Sequence, residues 1–386
     1  MREVLVDGSP AAAGELLHAL RAVLDGSGPA VLPLPANDPR LAEVRAALAT
    51  DRPIEPGTAV VVTTSGSTGD AKGVLLSAGA LRASAMATHD RLGGPGRWLL
   101  ALPANHIAGL QVLVRSIVAG REPAVMGGAA GFRSRVFTEA ASTVLGDSGP
   151  QYTALVPTQL TRLLADGGDG LRALRAFDAV LLGGAATPGA LLVRAIEAGV
   201  NVVTTYGMTE TAGGCVYDGV PLSGVRVRIG SGERIELAGP MLAHGYRLRP
   251  VDTEAAFAGG WFRTDDLGRL HRDGSLEVLG RADDVINTGG LKVSAAVVEG
   301  VLAAQHGVAE ACVVGLPDRE WGHVVAAAVV PAAEPPDEAV LLDAVRVSLG
   351  GASVPKVLRF VGELPLHGPG KVDRAAVAAV LSGRSG

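Results

Sequence analysis

The sequence predicts an α/β protein built as a large N-terminal α/β domain, a small antiparallel or barrel-like β subdomain and a compact α+β C-terminal unit. Three observations predict it. Short β-branched runs alternate with Ala/Leu/Arg-rich stretches through the first half, the pattern of strands and helices in a largely parallel sheet. The texture changes near Gly224 to short strands separated by Gly-rich turns, and the alternation returns after Gly280-Arg281.

Taken in order, the apolar run Ala59–Val62 reads as a strand that ends in a loop dense in hydroxyls and glycines. Pro157-Thr158 reads as a helix start with Thr158 as N-cap. Ala179–Leu182 reads as a strand, Pro188–Ala198 as a helix and Val200–Thr204 as a strand. Pro188 falls in the first turn of that helix and Gly199 just past its end, the usual asymmetry. The runs 225–229, 234–237 and 275–279 read as the short strands of a β subdomain spanning about 224–280. Beyond it, Ala295–Ala304 reads as helix, Ala311–Val314 and Val324–Val330 as strands, and Asp337–Leu349 as helix. The domains expected are 1–282 and 283–386. No internal repeat is evident.

Bulk properties exclude several functions. Acidic residues outnumber basic ones 39 to 34, for a net charge of −5, which argues against a nucleic-acid binder. No apolar run approaches the roughly 18 to 20 residues of a membrane helix, and the start MREVLVDGSP lacks a signal-peptide pattern. The two cysteines, Cys215 and Cys312, are far apart and fit a reducing cytoplasm. Only four of the 34 cationic residues are lysines, Lys72, Lys292, Lys356 and Lys371, so a retained lysine points to a site where a compact ammonium matters.

The loop after the first strand, Thr63-Thr64-Ser65-Gly66-Ser67-Thr68-Gly69 with Lys72-Gly73 beyond it, carries the strongest signal. Backbone N–H groups and hydroxyls of such a loop can wrap phosphates, with the lysine as counter-charge. The Walker A spacing is absent.

Five further stretches follow in order: Pro103-Ala104-Asn105-His106, Tyr206-Gly207-Met208-Thr209-Glu210, Trp261 through Gly268, Gly280-Arg281-Ala282-Asp283-Asp284 and Gly370-Lys371-Val372-Asp373-Arg374. Together with the loop they resemble the acyl-adenylate-forming superfamily of acyl-CoA synthetases, adenylation domains and luciferases, over nearly the whole chain. The resemblance implies an acyl-CoA synthetase-like fold with a mobile C-terminal domain, ATP and CoA as co-substrates, and Mg²⁺. It implies that Thr64, Ser65, Gly66, Ser67, Thr68, Gly69 and Lys72 hold the ATP phosphates. Gly183, Gly184 and Ala185 line the adenine and acyl pocket, Tyr206 packs on adenine beside Gly207 and Met208, Thr209 contacts the α-phosphate and Glu210 holds Mg²⁺. Asp266 grips the ribose hydroxyls and Arg281 lies near ribose and phosphate, Asp283 is the hinge, and Lys371 stabilises charge during adenylation. His106 belongs to the acyl pocket, with Gly207 and Thr209 lining it, and Gly289, Gly290 and Lys292 line the thiol tunnel, where a missing side chain makes room for the pantetheine arm. The family has Gly where this chain has Asp265.

The segments 154–162 and 181–186 and the run Thr205–Asp218 (TYGMTETAGGCVYD) are most similar to o-succinylbenzoate–CoA ligases of menaquinone synthesis. That substrate is a dicarboxylate, so one carboxylate needs a fixed cation, for which Arg162 is the candidate; the alternative is a solvent-facing arginine. Other readings are another small aryl- or acyl-CoA ligase, an adenylating enzyme serving a carrier protein in trans, or a catalytically dead relative. The phosphate loop comes early for this superfamily, so the N-terminal layer is short, and a homodimer contact is one way to replace its packing.

Overall fold

The protein is described by a computed structural model covering residues 1–65, 71–128, 131–146, 148–367 and 371–383. It forms two compact units. The first comprises Met1–Gly184, Ala195–Arg228 and Glu236–Arg263, and the second comprises Ala185–Arg194, Ile229–Ile235 and Thr264–Gly386.

Among the described residues, two sheets lie wholly within the first unit. The larger has seven strands in the order Val220–Pro221, Gly213–Tyr217, Val202–Met208, Ala179–Leu182, Gln151–Leu155, Arg97–Leu100 and Ala124–Val125. The five from Val202–Met208 onward are parallel, as the alternation of strand and helix requires. The smaller sheet runs Arg2–Val6, Val31–Pro35, Val60–Ser65, Ala71–Leu76 and Gly245–Tyr246.

Each strand of the smaller sheet turns alternate side chains to opposite faces, and both faces are covered. Val60, Val62, Val74 and Leu76 join the main core with Leu16 and Leu20 of the helix Pro10–Leu24. Leu32, Leu34, Val61 and Leu75 face the other way, against Leu48 and the half-buried Leu41, Val44 and Ile54. The helix Leu41–Leu48 and the segment after it therefore cover the second face of this sheet. Each side chain so buried contributes about 1.5–3 kcal/mol.

The second unit is built on the long hairpin of Val308–Asp318 and Gly322–Pro331. Val325, Ala327 and Val329 pack with Val298 and Leu302 of the helix Ala295–Ala303 and Leu341 and Val345 of the helix Glu338–Leu349. Val324, Ala326 and Ala328 face the other side, with Val377 and Leu381 of the helix Arg374–Leu381. Burial on both faces explains why this strand reads as one continuous apolar run.

The structure moves several sequence-derived boundaries; the strand expected at Ala59–Val62 spans Val60–Ser65, because Thr63, Thr64 and Ser65, expected in the loop, pair with Gly73, Lys72 and Ala71. The strand expected at Val200–Thr204 spans Val202–Met208, because Tyr206, Gly207 and Met208 pair with Val216, Gly214 and Gly213 of the next strand. The strand expected at Ala311–Val314 spans Val308–Asp318, because its partner pairs along the whole length. Thr158 is not the N-cap; the helix begins at Pro157, and Val156 caps it with its N–H donating to Gln159 Oε1 at 3.1 Å. A proline at the first helical position places the cap one residue earlier. Among the described residues, no helix is long and apolar enough to cross a membrane.

A buried polar cluster lies under the larger sheet. Trp98 Nε1 donates to His89 Nε2 at 3.3 Å, and the Arg115 guanidinium stacks 4.9 Å from the Trp98 ring centroid. Burial first, then the Arg115 charge, pushes His89 down to about 4, with Asp90 opposing. The folded protein holds this imidazole neutral while the unfolded chain protonates it near its ordinary value of 6.5. The unfolded state then binds more protons between those two values, so stability falls as pH drops through the window. A shift of this size is worth roughly 3 kcal/mol. His89→Gln should flatten the urea-unfolding free energy between pH 7 and pH 5 relative to wild type; parallel pH profiles would remove His89 as the cause.

Candidate active site

The phosphate-loop hairpin is set by the pairing of Val60–Ser65 with Ala71–Leu76, in which Thr64 lies opposite Lys72 and Thr63 opposite Gly73. Gly66, Ser67, Thr68 and Gly69 lie outside the described residues, as does Asp70. Gly73 has a packing role. A Cβ there would lie 2.6 Å from Leu48 Cδ2 and 2.9 Å from Val61 Cγ1, closer than side chains approach.

Gly245–Tyr246 adds to this hairpin with Tyr246 opposite Val74, which makes Lys72 its diagonal neighbour on the same face. Lys72 Nζ lies 5.5 Å from the Tyr246 ring centroid and 3.4 Å from Asp252 Oδ2. Slight burial pushes the Asp252 carboxyl up, but Lys72 and Arg249 more than reverse this and hold it below its usual range. The Tyr246 hydroxyl donates to Glu210 Oε1 at 3.0 Å. One tyrosine thus joins the lysine of the phosphate hairpin to the carboxylate of the second motif.

Glu210 sits in the 3₁₀ turn Thr209–Thr211, directly after the strand carrying Tyr206, Gly207 and Met208. This turn is tied on every side. The Glu210 carbonyl accepts from Ala243 N at 2.8 Å, and Thr211 Oγ1 accepts from Met208 N at 2.9 Å and donates to Gly213 O at 2.7 Å. Ala212 is held at φ 50°, a left-handed conformation that costs a non-glycine residue about 1 kcal/mol or more. Its carbonyl accepts from Ser84 Oγ at 2.9 Å and Gln111 Nε2 at 2.7 Å. Gln111 belongs to the helix Ile107–Ala119, whose N-cap is His106. That helix therefore places His106 relative to the Glu210 turn. Gly183 and Gly184 follow the neighbouring strand Ala179–Leu182. Arg162 lies on the helix Pro157–Asp166 with its side chain exposed.

In the second unit, Asp266 pairs across strands with Arg281. Arg281 makes two 2.8 Å bonds to the Asp283 carboxylate and lies 3.9 Å from Asp266. Burial pushes Asp283 up, but the Arg281 pair more than reverses it, leaving it below the usual carboxylate range. Asp265, where the family has Gly, pairs with Arg234 Nη1 at 2.6 Å. Ala185 is exposed.

The C-terminal motif is described from the backbone of Lys371 onward, Gly370 lying outside the described residues. Lys371-Val372 forms a short strand opposite Leu366-His367. Asp373 caps the helix Arg374–Leu381, its Oδ1 accepting from Ala376 N at 2.9 Å. Arg374 bonds Glu299 at 2.7 and 3.0 Å, Val313 O at 2.7 Å and Asp284 at 3.1 Å. The motif is thus a lysine followed by a cap and an anchor.

Gly289 and Gly290 form the two-residue turn between Val285–Thr288 and Leu291–Ser294, with φ of 57° and 81°. A Cβ on Gly289 would lie 2.6 Å from the Trp321 ring. The absent side chain thus admits Trp321, whereas sequence reasoning had it admit a ligand. Lys292 is exposed in the strand after the turn. A cavity of about 220 Å³ beside the turn is lined by Leu291, Trp321, Val354 and Lys356 among others, and Lys356 Nζ stands 4.0 Å over the Trp321 ring.

The donor set fits Mg²⁺ bound together with ATP. Such an ion takes most of its ligands from phosphate and water and only one or two from carboxylates, and Glu210 would supply one beside the hairpin that carries Lys72. Sequence reasoning passed over Tyr246, Asp252 and Ser84, which lie outside the six motifs; the only signal was that Tyr246 is one of four tyrosines.

Residues 5–255 match the AMP-binding enzyme family and residues 297–371 the AMP-binding enzyme C-terminal domain. The chain belongs to the AMP-binding enzymes, and the membership expected from the six motifs is borne out. Among its relatives, it is 46% identical to a "Probable 2-succinylbenzoate--CoA ligase" of Mycobacterium tuberculosis over 96% of both chains. It is 35% identical to the 2-succinylbenzoate--CoA ligase of Listeria monocytogenes over 82% of this chain and 68% of that one. The structure resembles the o-succinylbenzoate CoA synthetase of Bacillus subtilis in complex with the acyl-adenylate intermediate, with TM-score 0.73, 28% identity and coverage of 94% and 80%. The same enzyme in complex with ATP and magnesium ion matches with TM-score 0.79, 26% identity and coverage of 97% and 88%.

The hairpin that carries Lys72 depends on Arg247. Its buried guanidinium donates to the carbonyls of Leu48, Ala49, Arg52 and Pro53 and to Glu55 Oε2. Lysine offers three donors in place of this planar set of five. Arg247→Lys should therefore lower the unfolding free energy by about 3 kcal/mol, read from urea denaturation, while Arg2→Lys on the surface should change it by less than about 0.5 kcal/mol. Equal effects would show that the buried bonds contribute nothing special.

Proposed function

We propose that the protein is an AMP-forming acid–CoA ligase that activates o-succinylbenzoate for menaquinone synthesis. The observation that carries the reaction class is the joining of Lys72 and Glu210 through Tyr246. It sets a phosphate-binding cation and a cation-binding carboxylate side by side, as adenylation requires. The substrate rests on the relatives described above.

In the first step the substrate carboxylate attacks the α-phosphorus of ATP, the bond to the bridging oxygen breaks and pyrophosphate leaves. Thr64, Ser65, Gly66, Ser67, Thr68, Gly69 and Lys72 orient the leaving phosphates. Tyr206 packs on adenine, Gly183, Gly184 and Ala185 border its pocket, with Gly183 itself packed against Thr205, and Asp266 and Arg281 hold the ribose side. Thr209 contacts the α-phosphate, and Lys371 stabilises charge on the α-phosphate and carboxylate oxygens. Mg²⁺, when bound with ATP at Glu210, neutralises phosphate charge.

In the second step the CoA thiol attacks the acyl carbon, the mixed anhydride breaks, and AMP departs with the proton lost from the thiol. A thiol near its ordinary pKa is already partly ionised. The domain 283–386 turns about Asp283 relative to 1–282 between the steps. The Gly289-Gly290 turn, Lys292 and the adjoining cavity receive CoA. His106 borders the acyl group and Arg162 is the candidate for the second carboxylate. The setting is the cytoplasm, with a small carboxylate as partner, no nucleic acid, no membrane, and a second copy of the chain as the candidate for assembly.

Pyrophosphate release should depend on o-succinylbenzoate, and CoA thioester should form when CoA is added. If another aryl or acyl acid releases pyrophosphate and o-succinylbenzoate does not, the substrate is wrong. Lys371→Ala should abolish pyrophosphate release but largely spare thioester formation from supplied acyl-adenylate; equal loss of both steps contradicts the domain turn. Arg162→Ala should raise KM for the dicarboxylate several-fold without changing KM for ATP, and an unchanged KM removes Arg162 from the pocket.

A further inference from the structure

Tyr246 belongs to none of the motifs from which the active site was read, yet it touches two of them. Its hydroxyl donates to Glu210 Oε1 at 3.0 Å and its ring lies under Lys72 Nζ at 5.5 Å. The tyrosine itself is fixed. Its backbone N–H donates to Thr253 Oγ1 at 2.9 Å, its strand pairs with the phosphate hairpin, and its ring meets Phe257 edge-on at 5.7 Å.

We propose that Tyr246 is a positioning residue for adenylation, which orients the Glu210 carboxylate before the metal–nucleotide arrives and holds Lys72 on the same face. The inference rests on the reading of Glu210 as a metal-binding residue. The chemistry of the contact favours this role. A carboxylate that binds a cation must keep its negative charge and face one way. A neutral phenol donor fixes the orientation and leaves the charge in place, whereas an arginine or lysine bonded there would cancel it. Partners that orient ligating carboxylates typically change metal affinity by roughly ten- to a hundred-fold when removed.

The ring acts on Lys72 in a complementary way. An ammonium over an aromatic face is attracted without being neutralised, and the 3.4 Å contact to Asp252 fixes its other side. Arriving phosphates compete with one exposed ion pair, worth little, while the ring contact can persist.

The test measures metal binding rather than turnover. Mn²⁺, a paramagnetic substitute for Mg²⁺, is titrated into full-length protein saturated with a non-cleavable ATP analogue, and free Mn²⁺ is read by electron paramagnetic resonance. Tyr246→Phe keeps the ring and loses only the hydroxyl. It should weaken Mn²⁺ binding about ten-fold, with an unchanged urea midpoint. Phe257→Leu, which loosens the ring's packing but keeps the hydroxyl, should bind Mn²⁺ within two-fold of wild type. If Tyr246→Phe binds Mn²⁺ like wild type while Glu210→Gln loses it, the Tyr246 role is overturned and the Glu210 reading stands. If Phe257→Leu loses as much affinity as Tyr246→Phe, the effect is packing and the inference fails. If Glu210→Gln itself binds Mn²⁺ normally, the reading beneath the inference fails.

Discussion

The guanidinium of Arg247 is the constraint on which the nucleotide end of the first unit depends. Its side chain is wholly buried, and its five donors meet four carbonyls between Leu48 and Pro53 and the carboxylate of Glu55. The other carboxylate oxygen of Glu55 accepts from Leu248 N at 3.0 Å. A buried charge without partners would cost several kcal/mol; here the segment after the helix Leu41–Leu48 wraps around the charge. That wrapping brings Leu48 onto the outer face of the small sheet and leaves no room at Gly73 for a side chain. The segment after Leu48 thereby covers the sheet that holds the hairpin of Val60–Ser65 and Ala71–Leu76.

Adjacent residues divide the work. Arg247 faces the covering segment and Tyr246, on the opposite face of the same strand, faces Lys72 and Glu210. The second unit repeats the logic with charge. Arg281 fixes Asp283, and Arg374 fixes Asp284 together with Glu299. The expected pivot thus lies between two arginines, one near the expected ribose site and one three residues beyond Lys371. In the first unit Arg247 and Tyr246 hold neighbouring segments and side chains in place, and in the second Arg281 and Arg374 hold the carboxylates of Asp283 and Asp284.

Much of this was legible in the sequence, and the rest was not, for physical reasons. The strand Ala179–Leu182 and the helices near Pro188 and Asp337 read correctly because periodicity and capping are local. The long hairpin around Val313 read short because pairing partners, which set strand length, are not local. Glu210, Asp266 and Lys371 stand in motifs that resemble those of a known enzyme family, and the roles expected of them come from that resemblance rather than from any contact. Tyr246 and Arg247 were invisible because their partners lie 36 residues away and more, at Glu210 and near Leu48. Gly289 was read as room for a ligand because a glycine shows only that a side chain is absent, whereas here the space is taken by Trp321.

If Lys72, Tyr246 and Glu210 act as one preorganised nucleotide-binding element, a crystal structure with a non-cleavable ATP analogue and Mg²⁺ will show Lys72 Nζ on phosphate oxygens and no longer on Asp252, Glu210 on the metal, and the Tyr246 hydroxyl still bonded to Glu210. A nucleotide bound with Lys72 left on Asp252, or with Glu210 turned away from the metal, would contradict it.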